Sequence, residues 1–454
     1  MIYQVMADNN EINKDNVIKW FQVFQDSILP TRQELGAYYD GENIIKKQGA
    51  VEGRPNYSIN VNMAKYVVDV ATGYTFGIPI TYDTKNENTK TVLDTLQYIN
   101  KNCNAGEIDF QQGGDMSTYG VSYQLIMVKE GTEKLEDRII YKWLNPLQTF
   151  YVIDNTVLQN PLCAVYFYSY VENNVQKTKI YVYDSTNEYI FNGAQSNFIL
   201  QSTKPHSMGY IPIIQSLNND DAFGDFKSVT NLLDSLSLAI SNNTDNLQSI
   251  ANAILAASGA TLSKEDIELF NTYKVANLSP GAKMEWVIKN INSEAEKMQI
   301  DNLLKFIFQI SQVPDITDDA FGGNQSGVAM RYKLWGLDQL FATKTTKYKK
   351  TIFQRFRILL HLLQYQFKSN VAMLDNINVT FTRNFPQDFS AEYQMVQALK
   401  DVVSDRTLLS NISIVEDVDA ELEELDNQAE KQADLYGFNN NSNLEEEKDE
   451  NENK

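Results

Sequence analysis

Apolar side chains along this chain recur first at helical spacing, then in alternation, then at helical spacing again. Val17, Trp20, Phe21, Phe24 and Ile28 share one face of a helix over residues 15–37, with Pro30 ending the apolar run. Met63, Tyr66, Val67 and Val70 mark a second helix over 60–73, stopped at Gly73. Two further helical patterns cover roughly 89–103 and 106–118, ahead of Gly120.

The period then falls to two. Val121–Val128, Ile139–Trp143, Phe150–Ile153, Ala164–Val171, Thr178–Tyr183 and Glu188–Phe191 are β-branched and aromatic runs separated by turn residues. Such short connections leave no room for crossover helices, so the strands form an antiparallel meander. Residues 1–220 read as one α+β domain.

Asn218, Asn219, Asp220 and Asp221 mark a break, and a helix of unusual length then runs from Asp225 to Ala257. Val229, Leu232, Leu233, Leu236, Ile240, Leu247, Ile250 and Ile254 make its apolar stripe. Asn231, Ser235, Asn242, Asn246, Ser249 and Asn252 make an uncharged polar face. At ~1.5 Å per residue it is on the order of 50 Å long, and it needs neighbours to be stable.

Gly259 ends this helix and an insert follows, with Ser263 placed to cap a helix ahead of Asp266. Beyond Pro280 and Gly281, Ala282, Met284, Trp286 and Ile288 alternate with Lys283, Glu285 and Lys289, the signature of a half-buried strand. Ser293 and Glu296 form a capping box for a return helix that carries Leu303, Leu304, Ile307 and Ile310 and stops at Pro314. The two helices either lift the insert away from the body or form an ordinary hairpin folded against it.

An acidic, glycine-punctuated loop follows Pro314, with Asp315, Asp318, Asp319, Gly322, Gly323, Asn324, Gln325, Ser326 and Gly327. It has almost no apolar anchor and faces solvent or a moving partner. A third long helix runs from Arg331 to Lys368, carrying Lys344, Lys347, Lys349, Lys350, Arg355 and Arg357. Such a charge run is usually a solvated face, or else pairs with acidic neighbours or braces a subunit contact. Asn376–Arg383 reads as a strand returning to the first domain, 388–437 as helical and acidic, and the tail beyond Phe438 as disordered.

The chain has 454 residues, 43% of them hydrophobic, with 25 Tyr and 22 Phe, enough for two or three cored domains. A formal charge of -20 and a pI near 4.6 argue against a protein that grips nucleic acid by its phosphates. They are compatible with a surface past which DNA slides without sticking. Cys103 and Cys163 alone suggest a reducing compartment. The opening residues lack signal-peptide character, and the longest apolar runs, such as Ala253–Ala257, are far too short to span a bilayer. The expectation is a soluble protein with no membrane partner.

No catalytic set stands out. His206 and His361 have no partner at metal-ligand spacing, and the glycines at 322–327 do not make a nucleotide-binding loop. Asp315, Asp318 and Asp319 could hold a metal in a DNA-processing enzyme, although acidic loops are more often simply solvated. The residues read as a scaffold that needs no cofactor.

Several stretches, in their order, carry a resemblance: Asn62–Asp69, Gly73–Ile80, Tyr119–Tyr123, Ile211–Ile214 and Phe321–Lys333. The chain resembles the portal proteins of tailed double-stranded-DNA bacteriophages, in the branch common among siphophages of Gram-positive hosts. The resemblance covers residues 20–385. It implies a homo-oligomeric ring, usually of about twelve subunits, at one capsid vertex of the virion, assembled in the host cytoplasm. Residues 1–220 with 369–385 would be the wing, 221–258 and 292–313 the stem, 259–291 the clip and 314–330 the tunnel loop. Residues 331–368 would be the long wing helix and 386–437 the crown, with 438–454 an acidic tail.

It further implies a channel that conducts DNA during packaging and ejection. The clip would dock the large terminase subunit and later the head–tail adaptor, and the ring would meet major capsid and scaffolding proteins. On this chain the expected clip surface is Lys264, Glu268, Lys283, Glu285, Trp286 and Lys289. Asp318, Asp319, Asn324, Gln325 and Ser326 would face DNA from the tunnel loop. Asn231, Ser235, Asn242 and Asn246 would face it from the stem. The alternatives left open are a structural head component without a channel and a metal-dependent DNA-processing enzyme.

Overall fold

The computed structural model describes residues 4–7, 11–43, 55–194, 197–251, 254–259, 280–287, 293–317, 327–367 and 371–385, with isolated positions at 263–272 and 394–429. Strand β1 (Val5–Ala7) leads to helix α1 (Lys14–Val23), capped where the Asn13 side chain accepts the Asn16 N–H at 2.9 Å. The helical path continues past Pro30, as the helix expected over 15–37 requires. A π turn over Phe24–Ile28 inserts an extra residue, and Leu29 N–H reaches back to the Phe24 carbonyl. Pro30 then falls in the first turn of α2 (Leu29–Asp40), where a missing N–H costs nothing.

Helix α3 (Met63–Phe76) likewise runs through Gly73, the expected stop, and ends at Gly77, whose N–H returns to the Gly73 carbonyl. After strand β2 (Thr81–Asp83) come α4 (Glu87–Asn102) and α5 (Ala105–Tyr119), closed by Gly120 at φ 79. Both match the helical spacing closely. Glycine is required at 120, since a Cβ there would lie 2.0 Å from the Ala222 carbonyl oxygen.

The strands are β3 (Val121–Val128), β4 (Ile139–Leu144), β5 (Thr149–Asp154), β6 (Pro161–Glu172), β7 (Val175–Tyr183), β8 (Asn187–Ala194), β9 (Asn197–Pro205) and β10 (Ile213–Leu217). A short helix, α6 (Leu135–Arg138), precedes β4. Of the six strands expected in one meander, β5 to β8 join a six-stranded sheet, β1-β5-β6-β7-β8-β9, antiparallel except where β1 joins β5, while β3 and β4 do not. A second, antiparallel sheet has the order β10-β3-β4. Ile213 and Ile214 are ladder residues of β10 facing Leu125 and Gln124. The α+β reading holds.

One face of the large sheet is closed by α1. Phe24 stacks on Phe150 at 4.6 Å, and Phe21 meets Phe167 edge-on at 4.8 Å. A separate core joins α4, α5, β3, β4 and the long C-terminal helix through Leu96, Met116, Ile126, Ile352 and Phe356, all fully buried.

The long helix expected over Asp225–Ala257 is shorter. Residues 227–229 form a 3-10 turn, α7 spans Thr230–Ala251, and Ile254–Ser258 is strand β11, paired antiparallel with β12 (Lys283–Val287). At ~1.5 Å per residue α7 is about 33 Å long. An apolar run such as Ile254–Ala257 fits strand or helix, and the alternating partner at 283–287 decides for strand. Helix α8 (Ser293–Ser311) returns beside α7 and stops ahead of Pro314, as its caps indicated.

Helix α9 (Gly327–Phe367) is 41 residues long and begins four residues earlier than its apolar pattern. A 3-10 segment (Val371–Asn376) and strand β13 (Asn378–Thr380) follow, β13 pairing antiparallel with β2 as a returning strand should. Residues 1–323 and 331–384 cluster as one compact unit; 324–330 and 385–454 form a second, in which α10 (Asp405–Leu409) buries Leu408.

Candidate channel and docking surfaces

The hairpin of α7 and α8 is fastened to the body by an extended segment. Tyr57 N–H donates to Asp245 Oδ1 at 2.8 Å, Ile59 N–H to Ser241 Oγ at 2.9 Å and Val61 N–H to Ser237 Oγ at 3.1 Å. The spacing has a geometric cause. Two extended residues advance about 6.6 Å and four helical residues about 6.0 Å, so alternate amides meet every fourth side chain of α7. Tyr38 OH, 2.9 Å from the Asp234 carboxylate, extends this ladder by another turn. The Ser237, Ser241, Asp245 spacing was visible in the sequence, but without the amides opposite it had no evident purpose.

A different face of α7 is left free of the body. Asn231, Ser235 and Asn242 lie on it and are exposed, uncharged and short. Asn246 is half-buried instead, and its Nδ2 donates to Glu296 Oε1 of α8 at 3.0 Å. That contact joins the end of one helix to the start of the other, as an antiparallel hairpin requires.

Helix α9 is tied to the body through buried charge. Lys344 Nζ donates to Ser117 Oγ at 2.8 Å and Asn218 Oδ1 at 2.7 Å, and forms a buried ion pair with Asp225, whose Oδ2 lies 2.8 Å away. Burial pulls the Lys344 pKa below the ordinary lysine value, and Asp225 opposes that pull. Eleven residues on, Arg355 pairs with Asp109 and donates to Gln124 Oε1 at 2.9 Å. Tyr348 OH lies 2.6 Å from the same Asp109. Lys347 pairs with Asp220, while Lys349, Lys350 and Arg357 remain exposed. Half of the basic run therefore pairs with acidic neighbours, one of the roles its charge allowed.

The start of the loop after Pro314 is held by α3. Tyr66 OH donates to the Pro314 carbonyl at 2.8 Å and accepts Ile316 N–H at 2.9 Å. Two turns along α3, Tyr74 OH donates to Asp338 Oδ1 of α9 at 2.7 Å. Arg383 Nε donates to that same oxygen at 2.7 Å.

The model of the family described as phage portal protein, SPP1 Gp6-like, matches residues 21–435. The chain belongs to that family. It is also 24% identical over 401 residues to the portal protein of Bacillus phage SPP1, covering 82% of this chain and 76% of that protein. A portal protein is a structural component of the virion and forms an oligomeric ring at a capsid vertex.

Within this portal chain the expected docking residues are only partly placed. Lys264, Glu268 and Lys283 are exposed, and Glu285 and Trp286 lie on β12, Trp286 opposite Leu255. Lys289 and the loop residues Asp318, Asp319, Asn324, Gln325 and Ser326 lie outside the described residues.

Of the residues weighed for chemistry, Asp315, His206 and His361 have other work. Asp315 Oδ1 accepts Thr317 N–H at 2.9 Å and its hydroxyl at 2.6 Å, a local turn. His206 Nδ1 accepts Met208 N–H at 3.2 Å while Nε2 lies 3.0 Å from the Asp184 carbonyl, which fixes one neutral tautomer. His361 packs against Tyr210 with ring centroids 6.0 Å apart. Among the described residues, no three His, Cys, Asp or Glu side chains converge as a metal site. No helix among them is long and apolar enough to cross a membrane.

Proposed function

We propose that copies of this chain close into a ring whose channel conducts double-stranded DNA into and out of the capsid. The α7–α8 hairpin is the stem, the β11–β12 insert the clip, and α3, α4, α5, the two sheets and α9 the wing. Residues 314–330 are the tunnel loop and 386–437 the crown. The observation that carries this reading is the exposed, uncharged face of α7 at Asn231, Ser235 and Asn242 on a chain of net charge -20. Repeated about an axis, such a face gives DNA phosphates nothing to hold, and the surrounding negative charge discourages adhesion. Family membership over residues 21–435 supports the same reading.

The clip would meet the large terminase subunit during packaging and a head–tail adaptor afterwards, through Lys264, Glu268, Lys283 and the β12 residues. The wing would meet the major capsid and scaffolding proteins. Electron microscopy of purified protein tests the core of the proposal: rings with an open centre are expected, and a compact monomer under assembly conditions refutes it. Deleting 321–327 should leave those rings intact while DNA packaging in vitro falls.

A further inference from the structure

We propose that two uncharged strips on opposite flanks of the α8–α9 pair meet each other between neighbouring copies of this chain. One strip centres on Phe306 and Ile310 of α8, the other on Tyr332 and Trp335 of α9. The inference rests on the ring reading and names the surfaces that close the ring.

Helix α8 is apolar on two sides. Ile307 and Ser311 are buried against the body, yet Phe306 and Ile310, one turn apart on another side, are each 48% exposed. One apolar stripe is satisfied by one neighbour, and a second stripe calls for a second neighbour. Helix α9 repeats the pattern: Leu334, Leu337 and Phe341 are buried, while Tyr332 and Trp335 are 77% and 64% exposed.

The two helices are packed together, which fixes where these strips lie. A Cβ at Gly336 would come within 3.0 Å of the Gln312 carbonyl oxygen, so α9 presses directly on the end of α8. A groove between them is lined by Lys305, Gln309 and Gln312 on one side and Lys333 and Gly336 on the other. At ~100° per residue, Phe306 and Ile310 fall beyond the exposed ridge of α8 from that groove, and Trp335 falls beyond the ridge of α9. The strips therefore face apart, and one copy cannot bring its own two together. A head-to-tail ring requires this arrangement, because each copy offers a different surface to each neighbour.

Charge selects the occupant. Gln299 and Asn302 extend the α8 strip, and Gln339 and Ala342 extend the α9 strip, all four exposed. Copies that each carry a net charge of -20 repel one another unless they meet through neutral surface. Both strips are neutral, and aromatic anchors such as Phe306 and Trp335 suit the centre of an interface. A strongly charged partner would find no complement on either one.

Cross-linking of the assembled full-length protein tests the pairing. With Ile310→Cys and Trp335→Cys in one chain, a short bismaleimide should give a covalent ladder climbing past the dimer. The two single variants, mixed before assembly, should stop at dimers. Each alone should match the unmodified chain, which controls for Cys103 and Cys163. Ile310→Cys chains linking to one another would mean two-fold pairing and overturn the proposal. So would an internal cross-link without a ladder, or no cross-link at all.

Phe306→Asp and Trp335→Asp should each abolish rings in light scattering and electron microscopy. Their circular dichroism should not change, since both positions are exposed. Intact rings in either variant would overturn this interface and leave the channel reading standing. An unmodified protein that forms no ring would overturn both. Should an aspartate variant fail to fold, the cross-linking decides alone.

Discussion

The Tyr66 hydroxyl donates to the carbonyl of Pro314, the residue at which the loop after the return helix begins, at 2.8 Å. Because the same oxygen accepts Ile316 N–H, one side chain fixes the direction in which the loop departs. Tyr66 also meets Phe308 edge-on at 5.7 Å, so its ring stays in place if the hydroxyl is removed. Tyr66→Phe should therefore cost about 1–2 kcal/mol locally, from two modest hydrogen bonds. Hydrogen exchange at Ile316 should quicken while α7 and β3 stay protected. Rings should form, and packaging should slow if loop direction matters.

Lys344 and Asp225 form a pair of which neither side chain exceeds 1% exposure. Removing one partner leaves the other charge buried, which typically costs about 3–5 kcal/mol. Lys344→Met should thus lower the melting temperature sharply, and Asp225→Asn should also destabilise. The double variant should be more stable than the sum of the two predicts, since it strands no charge. Calorimetry of all four proteins supplies the cycle; strict additivity would mean the two groups do not interact.

The Asp220–Lys347 pair at the surface gives a pH dependence of known sign. The Lys347 ammonium hydrogen-bonds Asp220 and holds its carboxyl below the ordinary value of 3.8. A carboxyl with a lowered folded-state pKa contributes stability that is complete above 3.8 and is lost as pH falls through the lower value. Lys347→Met should return the Asp220 titration, followed by carbon-13 NMR, to the ordinary range. Stability at neutral pH should change little, because Asp220 is 90% exposed.

What the sequence could reveal of this architecture depended on whether the deciding contact was local. Helices α4 and α5 and strands β3 to β8 were legible because side-chain period and turn residues are local properties. The end of α7 was not, since Ile254–Ser258 becomes a strand only by pairing with Lys283–Val287. The π turn ahead of Pro30 could not be read from the spacing, and β10 was missed because its partner β3 lies far back in the chain. The neutral face at Asn231, Ser235 and Asn242 was readable from composition and helical spacing. Asn246 shared that spacing, but the return helix, which spacing on α7 cannot describe, claims its side chain.

Asn231 and Asn242 stand three turns apart on the exposed face of α7, and neither carries charge. If that face lines the channel, Asn231→Lys with Asn242→Lys adds two phosphate-binding groups per subunit. Folding should be unaffected, because exposed Asn to Lys changes on a helix alter propensity very little. DNA passing the modified surface should release counterions on contact, so its retention should fall steeply as salt is raised, with a larger slope than for the unmodified ring. Filter-binding across a salt series measures that slope, and a packaging assay measures the slowed translocation. Lysines that leave both unchanged would place this face away from the DNA and require another part of the hairpin to line the pore.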